Sequence, residues 1–88
     1  MAIHKSAEKR ARQNTKRAAR NRSHRTSVRT AIKNVRVAVT SKDLMKAKEA
    51  LRIAIPKIDR AVNHGVMKKE TASRNISRLT RAVNQIAG

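Results

Sequence analysis

Arginine and lysine are the residues in this sequence whose number and spacing could do chemistry, and that chemistry is the binding of phosphate. Arg74, Arg78 and Arg81 recur at i, i+4 and i+7. On a helix they form one ridge about 200° around from the apolar stripe Ala72/Ile76/Leu79. Lys68 and Lys69 extend that ridge and Glu70 dilutes it. In the first 27 residues, Lys5, Lys9, Arg12, Lys16 and Arg20 trace one helical stripe, while Arg10 and Arg17 open another on a different side. A helix cationic on several sides suits a crevice between nucleic-acid helices better than a single groove. A guanidinium forks onto two phosphate oxygens where an ammonium acts as a point charge, and this segment holds six Arg to three Lys.

Other chemistry has little to work with. Asp43, Glu49, Asp59 and Glu70 sit among cations, and His4, His24 and His64 are scattered singly, with no pattern that pairs a Ser with a His as nucleophile and base. There is no Cys and no metal-ligand spacing. We therefore expect no catalytic residue, no metal, no cofactor and no small-molecule substrate. His4 and His24 are expected to touch phosphate or water, and His64 to close a helix C-terminus beside Gly65. With no Phe, Tyr or Trp, the large rings on which single-strand binders stack bases are missing, which leaves recognition of folded RNA by shape and backbone.

The charge balance points the same way. Twenty-three Lys and Arg against five Asp and Glu give +18 over 88 residues. Self-repulsion on that scale opposes a compact state unless an anion neutralises it, and nucleic acid is the densest such partner. Solubility alone needs only a charge of ~2–8 on a small domain. A membrane partner is not expected, because the cationic segment lacks an apolar stripe and the chain has no long hydrophobic run or signal-peptide core.

Positioning these cations requires helices. Val28, Ile32, Val35 and Val39 recur in steps of four, three and four, with Ala31 and Ala38 beside them. Thr40 to Asp43 then interrupt the pattern. Thr40 with Asp43 resembles a capping box, with Ser41 as an alternative N-cap. A second run, Leu44, Ala47, Leu51, Ile55, Ile58 and Val62, ends at His64 and Gly65. Pro56 lies inside it and costs ~3 kcal/mol, but the apolar phase is the same on both sides, which predicts a kink and not a stop. The third run, Ala72, Ile76, Leu79, Val83 and Ile86, reaches nearly to the C-terminus. Val66 and Met67 are expected to pack over the intervening turn. Short connections make neighbouring helices antiparallel.

The expected fold is therefore all-α: an antiparallel up-down-up three-helix bundle with a long basic first helix extending beyond the bundle. Residues 1–27 form a basic arm, with nine Lys and Arg against Glu8 alone and only Met1 and Ile3 as large apolar residues. Residues 28–88 form the bundle, with helices at about 28–39, 43–64 and 69–87. Like charges three and four apart oppose helix in the free arm and favour it once phosphates neutralise them, so the arm is expected to be helical when bound to RNA. Glu49 with Arg52 and Glu70 with Arg74 are spaced to pair on helix surfaces.

KSAEKRARQ from Lys5 to Gln13, RAARNRSHRTSVRTAIKNV from Arg17 to Val35, Pro56 followed by Ile58-Asp59-Arg60, and Gly65-Val66 followed by Lys69, Ala72, Arg74 and Arg78-Leu79 together closely resemble the bacterial small-subunit ribosomal protein S-twenty family over essentially the full chain. That resemblance implies a helical bundle whose long basic first helix penetrates small-subunit ribosomal RNA. It further implies direct binding that stabilises the folded 5′ domain during assembly, and contact with neighbouring RNA helices including the long penultimate stem. The expected location is the ribosome in the cytoplasm. Carried over by motif, Lys5, Ser6, Lys9, Arg10, Arg12, Gln13, Arg17, Arg20, Asn21, Arg22, Arg25 and Arg29 are candidate RNA contacts; Lys16 and Lys33 join them in the first helix. Lys69, Arg74 and Arg78 match the family's basic third helix, and Lys68 and Arg81 complete the ridge. The sequence departs from the family at Lys42, where Gly is frequent, and at Lys68 and Glu70, where His and Asn are common. The alternative is a small basic DNA-binding architectural protein of the nucleoid. A helix-turn-helix reader fits less well, since the cations are not confined to one recognition helix.

Overall fold

The computed structural model describes residues 2–88, with side chains from Ala7 onward. It consists of α1 (Ala2–Thr40), α2 (Leu44–Asn63) and α3 (Lys69–Ala87), with no strand among the described residues. The apolar positions of each helix meet in one core: Val28, Ala31, Val35 and Ala38 from α1, Ala47, Ala54, Ile58 and Ala61 from α2, and Ala72, Leu79 and Val83 from α3. Ile32, Leu51, Val62, Ile76 and Ile86 pack half-buried around it, and Val66 and Met67 close it over the α2–α3 turn.

Six of these eleven buried residues are alanine. Ala47, Ala54 and Ala61 stand seven residues apart on α2, as do Ala31 and Ala38 on α1. That repeat keeps a narrow seam facing the neighbouring helix, and the small side chains let two backbones approach. α1 and α2 make the most extensive helix pair and α1 and α3 the least. The largest fully buried side chains are only Ile58 and Val35, so the core is thin.

The α1–α2 turn corrects the expected cap. Thr40 is still helical, and its hydroxyl donates to the Arg36 carbonyl at 2.9 Å. Asp43, not Thr40 or Ser41, is the N-cap of α2, accepting from the Lys46 amide at 3.1 Å. The reason lies in how α1 ends: the Lys42 amide donates to the Val39 carbonyl and the Asp43 amide to the Ala38 carbonyl. This Schellman closure carries the helix through Thr40. It places Lys42 at φ 56, in the left-handed region where glycine is the unstrained choice.

The α2–α3 turn uses the same closure with the expected residue. The Gly65 amide donates to Val62 and the Val66 amide to Ala61, with Gly65 at φ 71 and His64 as C-cap. α2 runs through Pro56 as one helix. Pro56 and Arg52 are both exposed, so the Arg52 carbonyl that loses its amide partner lies on the solvent-facing side of the helix. α3 starts after Lys68, whose side chain makes no capping bond. Asp43 and Lys46 approach to 4.0 Å and Glu49 pairs with Arg52, whereas Glu70 and Arg74 do not pair despite their spacing.

The molecule is elongated, with extents of 67 × 21 × 14 Å and a radius of gyration of 17.7 Å, against roughly 12 Å for a compact domain of this length. α1 causes this. Its 39 residues span about 58 Å, and from Ala7 to Arg20 every residue is exposed.

Candidate nucleic-acid interface

The face of α1 that enters the core at Val28, Ala31, Val35 and Ala38 continues toward the N-terminus as His24, Asn21, Arg17 and Arg10. Apolar residues occupy that face only where α2 and α3 cover it. Beyond, it turns polar and then cationic, so the overhanging part of α1 has no side on which to bury. Lys9, Arg10, Arg12, Gln13, Lys16, Arg17, Arg20, Arg22, Arg25, Arg29 and Lys33 are exposed, and Asn21 is half-buried. Lys5 and Ser6, also named as contacts, have side chains outside the described residues.

Two further groupings emerge along the bundle. Arg22, Arg25, Arg29, Lys33 and Arg36 share a sector of α1 about 80° wide, a flank that runs from the overhang along the bundle. Arg36 continues the same series, but cation spacing alone does not single it out because it lies inside the apolar run. It shares a shallow recess with Arg29, Lys33, Ile32 and Val37. Arg25 and Arg29 also line a smaller recess with Val66 and Met67, which brings the α1 flank to the turn that precedes Lys68 and Lys69. On α3, Arg74, Arg78 and Arg81 are exposed on the side away from Ala72, Leu79 and Val83, while Lys68 and Lys69, also exposed, stand at the helix start and do not share that side.

None of these cations is held by a carboxylate among the described residues; the two ion pairs lie at Asp43–Lys46 and Glu49–Arg52. Arg52 donates to Glu49 through Nη2 at 2.6 Å and Nε at 3.1 Å. Those hydrogen bonds hold the Glu49 carboxyl below its ordinary range and raise the Arg52 guanidinium. Counter-charges are thus spent on α2, whose outer side also exposes Met45 and Ile53, while α1 and α3 keep their cations available. Such an arrangement can neutralise phosphates along two helices at once.

The structure also joins two residues that no spacing rule connects. The rings of His24 and His64 stack with centroids 4.2 Å apart and planes 19° from parallel. Among the described residues, no three metal-ligating side chains converge, and no helix is long and apolar enough to cross a membrane.

Residues 2–84 match the pattern of the family described as ribosomal protein S20. The chain is 56% identical over 86 residues to the small ribosomal subunit protein bS20 of Geobacter metallireducens, covering 98% of this chain and 99% of that one. It is 54% identical to the protein of the same name from Campylobacter concisus, over 98% and 97% of the two chains. To that of Helicobacter pylori it is 52% identical, over 99% and 98%. A full-length match at this identity, on an all-helical bundle with an overhanging basic helix, shows that the chain belongs to the ribosomal protein S20 family.

Proposed function

We propose that this chain is a structural constituent of the small ribosomal subunit that binds ribosomal RNA directly and stabilises the folded 5′ domain during assembly. The observation that carries this reading is the overhang of α1, a helix with exposed, unpaired cations on more than one side. A rod of that kind neutralises phosphates from more than one RNA helix and fixes their relative placement. The α1 flank from Arg22 to Arg36, the α3 ridge Arg74, Arg78 and Arg81, and Lys68 and Lys69 at the start of that helix supply further surfaces for neighbouring RNA helices. It acts on the ribosome in the cytoplasm, as a binding protein and not as an enzyme.

The arm couples its own folding to this binding. Repulsion between cations one turn apart opposes the helix in free protein, and phosphate removes it. Circular dichroism during titration with RNA should register a gain of helix; no gain overturns this coupling.

The direct test compares a 5′-domain transcript of small-subunit RNA with duplex DNA of equal length at matched salt. Preference for the transcript, with protections at helix junctions in hydroxyl-radical footprinting, supports the reading. Equal affinity for the two favours the nucleoid alternative.

A further inference from the structure

We propose that His24 and His64 form an aromatic brace that sets the direction in which the cationic overhang leaves the bundle, which makes both positioning residues for RNA binding. This rests on the RNA-binding reading above. His24 lies one turn beyond Val28, the first buried residue of α1 among those described. His64 is the C-cap of α2, and its backbone is fixed by the hydrogen bond its amide donates to the Arg60 carbonyl and by the Gly65 and Val66 closures that follow. The stack at 4.2 Å therefore ties the exit of α1 to a rigid point on another helix.

An ion pair could not serve at this place without giving up cations. Arg20, Arg22 and Arg25 flank His24, Arg60 stands one turn before His64, and no carboxylate pairs with any of them. Ring stacking supplies attraction without an opposite charge, and salt screens it little. Position matters because the overhang is a lever. From His24 to Lys9 it extends about 22 Å, so a swing of about 20° moves Lys9 by about 8 Å, enough to carry it off its phosphate.

The test uses the full chain as His24→Ala, His64→Ala, the double alanine variant, and His24→Phe with His64→Phe. Two quantities are read: hydrogen-exchange protection in the free protein of amides 24–28, which donate to the carbonyls of residues 20–24 where α1 enters the bundle, and affinity for a small-subunit RNA transcript across a salt series. Each alanine variant should lower protection and RNA affinity by about two- to tenfold, with the double variant no worse than either single. The slope of log affinity against log salt should stay unchanged, and the phenylalanine pair should restore both quantities. Unchanged protection in both alanine variants overturns the brace. So does a slope reduced by about one for each histidine lost, or failure of the phenylalanine pair to restore affinity, since either outcome marks the imidazoles as direct RNA contacts. If the unmodified protein fails to bind the transcript in dilute buffer, the RNA reading falls, whereas the exchange result still reports on the brace.

Discussion

The two halves of α1 share one helical repeat and live in different surroundings. From Val28 to Ala38 one face is closed by α2 and α3; from Ala7 to Arg20 no face is closed at all. The bundle half is held by many small contacts between alanine and aliphatic side chains. The overhanging half has no such contacts, and its backbone hydrogen bonds must withstand like charges one turn apart. Helix in the first half is a consequence of packing; in the second, on the function proposed above, it depends on what the cations meet. Binding and stability should therefore separate along α1, with losses of one leaving the other nearly intact.

The largest effect should come from the overhang. Replacing Arg10, Arg12, Arg17 and Arg20 together by Gln is expected to weaken RNA binding by roughly 10²–10³-fold near physiological salt and to reduce the salt slope by about three to four. Thermal melting of the bundle should hardly change. A loss under tenfold in filter-binding or fluorescence titration would break the division. Next is the core. Ile58→Ala removes the largest fully buried side chain and should cost about 2–4 kcal/mol in urea unfolding. In so small a core that removes most of the free protein's stability, and added RNA should recover part of it by mass action.

Two smaller substitutions sharpen the contrast. Lys68→Ser gives α3 the capping bond it lacks and should stabilise the bundle by about 1 kcal/mol, while weakening RNA binding a few-fold through a lost cation. Stability and affinity would then move in opposite directions. Lys42→Gly relieves the left-handed position at the end of α1 and should add about 0.5–1 kcal/mol, with affinity unchanged; a lower melting temperature would contradict the strain. The least effect belongs to Glu49→Gln. The Arg52 hydrogen bond holds the Glu49 carboxyl below its ordinary value of 4.5, so the pair contributes fully above that value and its contribution is lost as pH falls through the lowered one. Melts of parent and variant should differ slightly at neutral pH and converge in acid.

Much of this arrangement was legible in the sequence because it rests on local periodicity. The steps of three and four from Val28 to Val39 and from Ala72 to Ile86 mark buried faces, and Gly65 marks the second turn by its unique conformational freedom. The ridge Arg74/Arg78/Arg81 follows from the same arithmetic. What escaped depends on competition or on distance. Thr40, Ser41 and Asp43 can all cap, and the choice is made by which amides the Schellman closure consumes. Lys42 adopts a conformation its type disfavours because that closure demands it. Arg36 was hidden by the apolar residues around it, and the His24–His64 stack joins positions forty residues apart, which no periodic reading can pair.

The elongation of the molecule has a consequence for how much of it is left unfinished. Its solvent-accessible area is 7147 Å², where a globular monomer of 9.9 kDa would present about 5200 Å². The excess, near 1900 Å², falls within the roughly 1,000–2,500 Å² of protein surface that one specific protein–DNA interface buries. A chain that stands out of the globular form by one interface's worth of skin is dimensioned as an inlay, with its final contour completed by the body into which it is set.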